Sequence, residues 1–121
     1  MSRTLRIPRD LARQDGLPDP DLLCRSIWNR LWPTEAWPWG WTCHWVSHED
    51  AWGYCDYDMR RVELDPELQG RPKYLTATIC HELQHLRLGP SAVHGRHFDA
   101  LERKLALRLG VEFIEKRKDN E

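Results

Sequence analysis

Apolar positions recur along this chain with two different periods, and each change of period marks a new element. Leu22, Leu23, Ile27, Trp28 and Leu31 recur at three and four residues, which predicts a helix. Asp19 starts it, Pro20 takes its first position and Pro33 stops it. From Trp41 to Val46 the period drops to two, with Trp41, Cys43 and Trp45 on one face and Thr42, His44 and Val46 on the other. Ser47 to Asp50 reads as a turn and Trp52 to Tyr57 as a second strand. Asp58-Met59-Arg60 is a tight reversal into a third short strand, Arg61 to Leu64, which Asp65-Pro66 ends. The helical period then returns over Pro72 to Leu88, where Leu75, Ile79, Leu83 and Leu86 share an arc of roughly 80°. Gly89-Pro90 is a helix stop. A last helix begins near Gly95, carries Phe98, Leu101, Leu105 and Leu109 toward the core, and is interrupted by Gly110.

These elements predict an α+β fold in one domain over residues 1–121, with an N-terminal helix, a small three-stranded sheet, a central helix and a backing helix. Residues 1–18 read as an arm, in which Asp10 could cap a short turn. Val111 to Ile114 read as a further turn or short extended arm, and residues 115–121 as a charged tail. A chain of 121 residues with 40% hydrophobic content suffices for one core. Trp32, Trp37, Trp39, Trp41, Trp45 and Trp52 read as the cover that seals the sheet to the helices, in preference to a stacking platform for ligands.

A net charge of −1 gives no electrostatic reason for tight nucleic-acid or membrane binding, and no apolar run is long enough to span a bilayer. Met1 to Arg13 holds four arginines and no apolar stretch, so it is not a secretory signal, and a cytoplasmic protein is expected. Cys24, Cys43, Cys55 and Cys80 form no Cys-x-x-Cys pair, which argues against a cysteine zinc site. Reduced thiols are the expectation, with a Cys43–Cys55 bridge across a hairpin as the alternative.

The chemistry is concentrated at His81-Glu82-Leu83-Gln84-His85 on the central helix. Four residues of α-helix rise about 6 Å and turn about 40°, so both imidazoles leave one face and can hold one zinc ion. Both lie outside the apolar arc. Glu82 projects beside them, placed as a general base rather than as a ligand. Zinc would lower the pKa of a bound water toward about 7 and polarise a carbonyl, which is hydrolase chemistry. A catalytic zinc usually takes three protein ligands. His97, Asp99 and Glu102 are candidates for the third, but His94 is chosen. It lies just before the last helix, where Gly95 would let the backbone pack closely on the central helix. His97 could instead contact substrate, and Glu102 also fits a surface position beside Arg103 and Lys104. His44 and His48 read as ordinary surface residues. Tyr54, Tyr57, Tyr74, Arg96 and His97 remain open as partners for a developing oxyanion.

His81 to His85, followed by His94-Gly95-x-x-Phe98, resembles the SprT-like and WLM-type metallopeptidases, and more broadly the compact minigluzincin peptidases. Gly53-Tyr54-x-x-Tyr57 and Arg61 to Leu64 resemble the strand pair that precedes the active helix there. The resemblance covers roughly residues 20–110 and implies His81, His85 and His94 on Zn2+ with Glu82 catalytic. It also implies a peptide or protein substrate lying extended along a sheet edge. Association with nucleic acid follows from the family analogy alone, and the cysteine ribbon of some SprT-like proteins is missing. The chain departs from the metzincin pattern, with Leu88 where that pattern has glycine and Ser91 where it has histidine. A zinc metallopeptidase is therefore expected. The alternatives are a metal-dependent hydrolase of another bond and a catalytically silent, zinc-stabilised nucleic-acid adaptor.

Overall fold

A computed structural model describes residues 17–92 and 94–110. The turn read at Asp10, most of the N-terminal arm, the segment Val111 to Ile114 and the charged tail lie outside the described residues. The elements are α1 (Pro20–Leu31), β1 (Thr42–Trp45), β2 (Gly53–Asp56), β3 (Arg61–Leu64), a short 3-10 turn (Pro66–Gly70), α2 (Pro72–Leu88) and α3 (Arg96–Leu109). The α+β layout read from the periodicity is present.

Each boundary has a local cause. Asp19 caps α1 by accepting from the Asp21 amide at 2.9 Å, with Pro20 in the first turn. Pro72 opens α2, and Gly89, at a φ of 97°, ends it by turning its amide back to the His85 carbonyl at 2.8 Å. Gly110 closes α3 in the left-handed conformation.

The strands run in the order β1-β3-β2, with β1 parallel and β2 antiparallel to β3. The first two strands therefore do not form the hairpin expected across Ser47 to Asp50, because β3 lies between them. Cys43 and Cys55 both sit opposite Val62, one on each side. Two strand spacings put their Cα atoms about 9.5 Å apart, beyond disulfide reach. All four cysteines are free thiols in the interior.

The register sorts the sheet into two faces. Cys43, Val62 and Cys55 form one inward row, and Trp45, Leu64 and Gly53 form the next. These rows pack against Trp28 and Leu31 of α1, Ile79, Cys80, Leu83 and Leu86 of α2, and Leu105 and Leu109 of α3. Trp28, Trp32, Trp45 and Trp52 are buried. The indole of Trp28 donates to the Glu35 carbonyl and that of Trp45 to the Pro18 carbonyl, so neither carries an orphaned donor inside. Trp37 and Trp41 are half-buried, while Trp39 is 86% exposed and seals nothing. No helix among the described residues is long and apolar enough to cross a membrane.

Candidate metal centre

His81 and His85 project from α2 into a cleft of about 400 Å³, and His94 reaches into it from the connection between α2 and α3. The Nε2 atoms converge: His94 lies 3.1 Å from His81 and 2.8 Å from His85. Three zinc-bound nitrogens at 2.0–2.1 Å would stand about 3.3 Å apart in a tetrahedron, so the two contacts of His94 are within about half an ångström of that spacing, and all three donors lie within 4.8 Å of one another. The three histidines are positioned to hold a metal ion.

The electrostatics favour the same assignment. Glu102, 2% exposed, places Oε1 2.8 Å from Nδ1 of His81. An imidazole nitrogen facing a carboxylate carries the proton, so in the neutral ring Nε2 of His81 presents its lone pair to the cluster. A single N–H among the three Nε2 atoms serves one short contact well and leaves another as lone pair against lone pair. A cation among them serves all three. Burial, and then the neighbouring His81 and His94, push His85 down to about 4 against the opposing pull of Glu102, which keeps it neutral at pH 7.

Phe98 does not line the cleft but forms an apolar floor beneath the three imidazoles. Its buried ring lies 4.5 Å from the ring of His85, 5.2 Å from His81 and 5.3 Å from His94, centroid to centroid. Gln84, also buried, donates from Nε2 to the Phe98 carbonyl at 2.9 Å and so fixes the first turn of α3 against α2. The apolar floor and this bond restrict the imidazoles to the geometry in which they meet.

Glu82 is 6% exposed and lines the same cleft. The opposite wall is β2 together with Asp50 and Ala51. Cys55 on β2 donates from Sγ to the Glu82 carbonyl at 3.2 Å. Burial, and then the charge and hydrogen bond of Glu82, push its thiol well above the usual range, so it stays protonated. Tyr57 also borders the cleft, but its hydroxyl donates to the carbonyls of His85 at 2.8 Å and Gly89 at 3.3 Å. It ties down the end of α2, so it is not poised toward a reacting carbonyl. Burial pushes its phenol up to about 12.

The remaining candidates separate cleanly. Glu102 is neither surface nor cluster ligand but the carboxylate behind His81. Its signal was in the sequence: it shares the seam of Phe98, Leu105 and Leu109, where an acid without a partner is expensive. Asp99 and the exposed His97 do not join the histidine cluster. Tyr74 meets Trp52 edge-to-face, with ring centroids 6.3 Å apart, and Arg96 is exposed; neither lines the cleft. Tyr54 does line it, half exposed. His44 lies by Thr42, with Nε2 2.7 Å from Oγ1, while His48 is half-buried, with Nε2 2.9 Å from buried Glu63. Gly95 does not serve close packing: a Cβ there would meet nothing within 4 Å. No family model, no curated protein and no solved structure matches the chain.

Proposed function

We propose that the chain is a zinc-dependent metallopeptidase. The observation that carries the reading is the meeting of three imidazoles and a buried carboxylate, Glu82, in one cleft walled by an edge strand. Three imidazole nitrogen donors with a carboxylate behind one of them suit zinc. Bound there, zinc supplies Lewis acidity and an activated water at neutral pH.

The chain's own groups supply the rest. Glu102 and Phe98 hold the ring of His81 in a fixed tautomer and orientation. Glu82 lies one residue from the first ligand, where it can take a proton from the attacking water and return it to the leaving amine.

Strand β2 supports a peptide substrate in particular. The Asp65 amide donates to the Trp52 carbonyl at 2.8 Å, which makes that pair a hydrogen-bonded one in the antiparallel ladder. By alternation, Gly53 and Cys55 direct their N–H and C=O groups away from β3, along the edge beside the cleft. An extended peptide can pair with such an edge and lie across the histidines.

The test is Glu82→Gln in the metal-loaded protein with fluorescently labelled casein as substrate. The expected result is one zinc per chain, as in the parent, with cleavage reduced by a hundredfold or more. Cleavage at the parental rate would remove Glu82 from the reaction. His94→Ala is expected to lose the metal; full retention there would remove His94 from the ligand set.

A further inference from the structure

We infer that Gly53 is a positioning residue: its missing side chain lets β2 close onto α2 and holds the Glu82 carboxylate in place at the histidine cluster. This rests on Glu82 acting as the base.

Gly53 occupies the inward row of the sheet with Leu64 and Trp45, where neighbouring strands present large side chains. A Cβ built on it would lie 2.8 Å from Cγ2 of Thr78, 3.0 Å from Cγ of Glu82 and 3.0 Å from Oε2 of Glu82. Side chains do not tolerate such separations. Conformation is not the reason for glycine here. Positive φ values are found at Gly40, Gly89 and Gly110 but not at Gly53, and a Cβ at Gly70 or Gly95 would meet nothing. Gly53 combines an ordinary backbone with no space.

The neighbours yield unequally. Thr78 and Glu82 are one turn apart on α2, and both are buried. Thr78 is β-branched, with few staggered positions open to it in a helix. Glu82 has three rotatable bonds and faces the cleft, so a methyl at position 53 displaces Glu82 first. The helix cannot simply retreat, because Cys55, the next inward residue on β2, is hydrogen-bonded to the Glu82 carbonyl. The two inward positions of β2 thus grip Glu82 from side chain and backbone. None of these contacts involves His81, His85 or His94, so metal binding and placement of the base are separable.

The experiment is Gly53→Ala in the full chain, loaded with zinc and, in parallel, with cobalt. Zinc content and affinity should stay within about twofold of the parent, while kcat on labelled casein falls tenfold or more and KM changes little. The pH midpoint of the cobalt protein's visible spectrum should move in the same direction as in Glu82→Gln. Adding Thr78→Ala removes the 2.8 Å contact and gives β2 room away from Glu82. The double variant should recover most of kcat and the parental midpoint, and it serves as the reference if Gly53→Ala alone does not fold. Parental kcat and midpoint in Gly53→Ala, or a loss of kcat that only follows lost metal, would overturn the assignment. So would a folded double variant with no recovery. If Glu82→Gln itself cleaves at the parental rate, the fault lies in the reading of Glu82, and the cobalt midpoint still reports whether position 53 moves that carboxylate.

Discussion

Replacing Glu102 by glutamine keeps the shape of the side chain and a carbonyl that can accept from His81, but removes the charge. In the structure that charge lies 2.8 Å from Nδ1 of His81 and is almost fully screened from solvent. A hydrogen bond to a charged group is worth about 1.5–3 kcal/mol, and carboxylates behind metal-bound histidines typically contribute 10- to 100-fold in affinity. A factor of ten is 1.4 kcal/mol, so the two scales agree on a range of about 1.4–2.8 kcal/mol. Glu102→Gln should weaken zinc binding by about tenfold and Glu102→Ala by up to about a hundredfold, the alanine losing the acceptor as well. Competition against a chromophoric chelator measures both, and the stoichiometry should remain one ion per chain. Unchanged affinity in both variants would show that Glu102 does not support His81. A saturated complex lacking one protein donor, seen by X-ray absorption, would show that Glu102 itself enters the coordination sphere.

Stability of the metal-free protein should depend on pH through His85. Its folded value is about 4 against an ordinary 6.5, so between these the unfolded chain binds more protons. The contribution is complete above about pH 6.5 and is lost as the pH falls toward 4. Urea midpoints measured in EDTA should decline across that window and decline less in His85→Gln; an equal decline in the two proteins would contradict the burial argument. Leu83 lies between the two motif histidines but is fully buried in the core. Leu83→Ala should cost about 2–5 kcal/mol by denaturant unfolding, and a loss below about 1 kcal/mol would mean that this face of α2 is not packed as described.

What could be read from the sequence was local. The limits of α2 followed from Pro72 and Gly89-Pro90, and its division into a core arc and a histidine face followed from the helical period. The choice of His94 over His97, Asp99 and Glu102 rests on the expectation that Gly95 packs closely; His94 does join the histidine cluster, but a Cβ at Gly95 would meet nothing within 4 Å. Strand order was not reachable, since alternation tells which side chains share a face but not which strands are neighbours, and the parallel β1–β3 pairing is non-local. The tryptophan cover was legible except at Trp39. That indole sits between Pro38 and Gly40, outside any regular period, and lies out in solvent with the Arg60 guanidinium 5.7 Å from its ring. Gln84 carried no signal, because a polar residue beside a metal motif looks like surface until the Phe98 carbonyl is found opposite. Gly53 and Gly95 looked alike as letters, and only the packing around each told them apart.

The central position of β3 also bears on the order in which the molecule can assemble. As the chain leaves the ribosome, β1 and β2 emerge without each other as partner, and neither completes its ladder until Leu64 is available. α2 follows directly, so the histidine-bearing segment meets a platform that has only just formed. The backing helix delivers Glu102 last, behind a histidine cluster that is already synthesised, so a nascent chain halted before that helix should bind zinc more weakly than one that includes it.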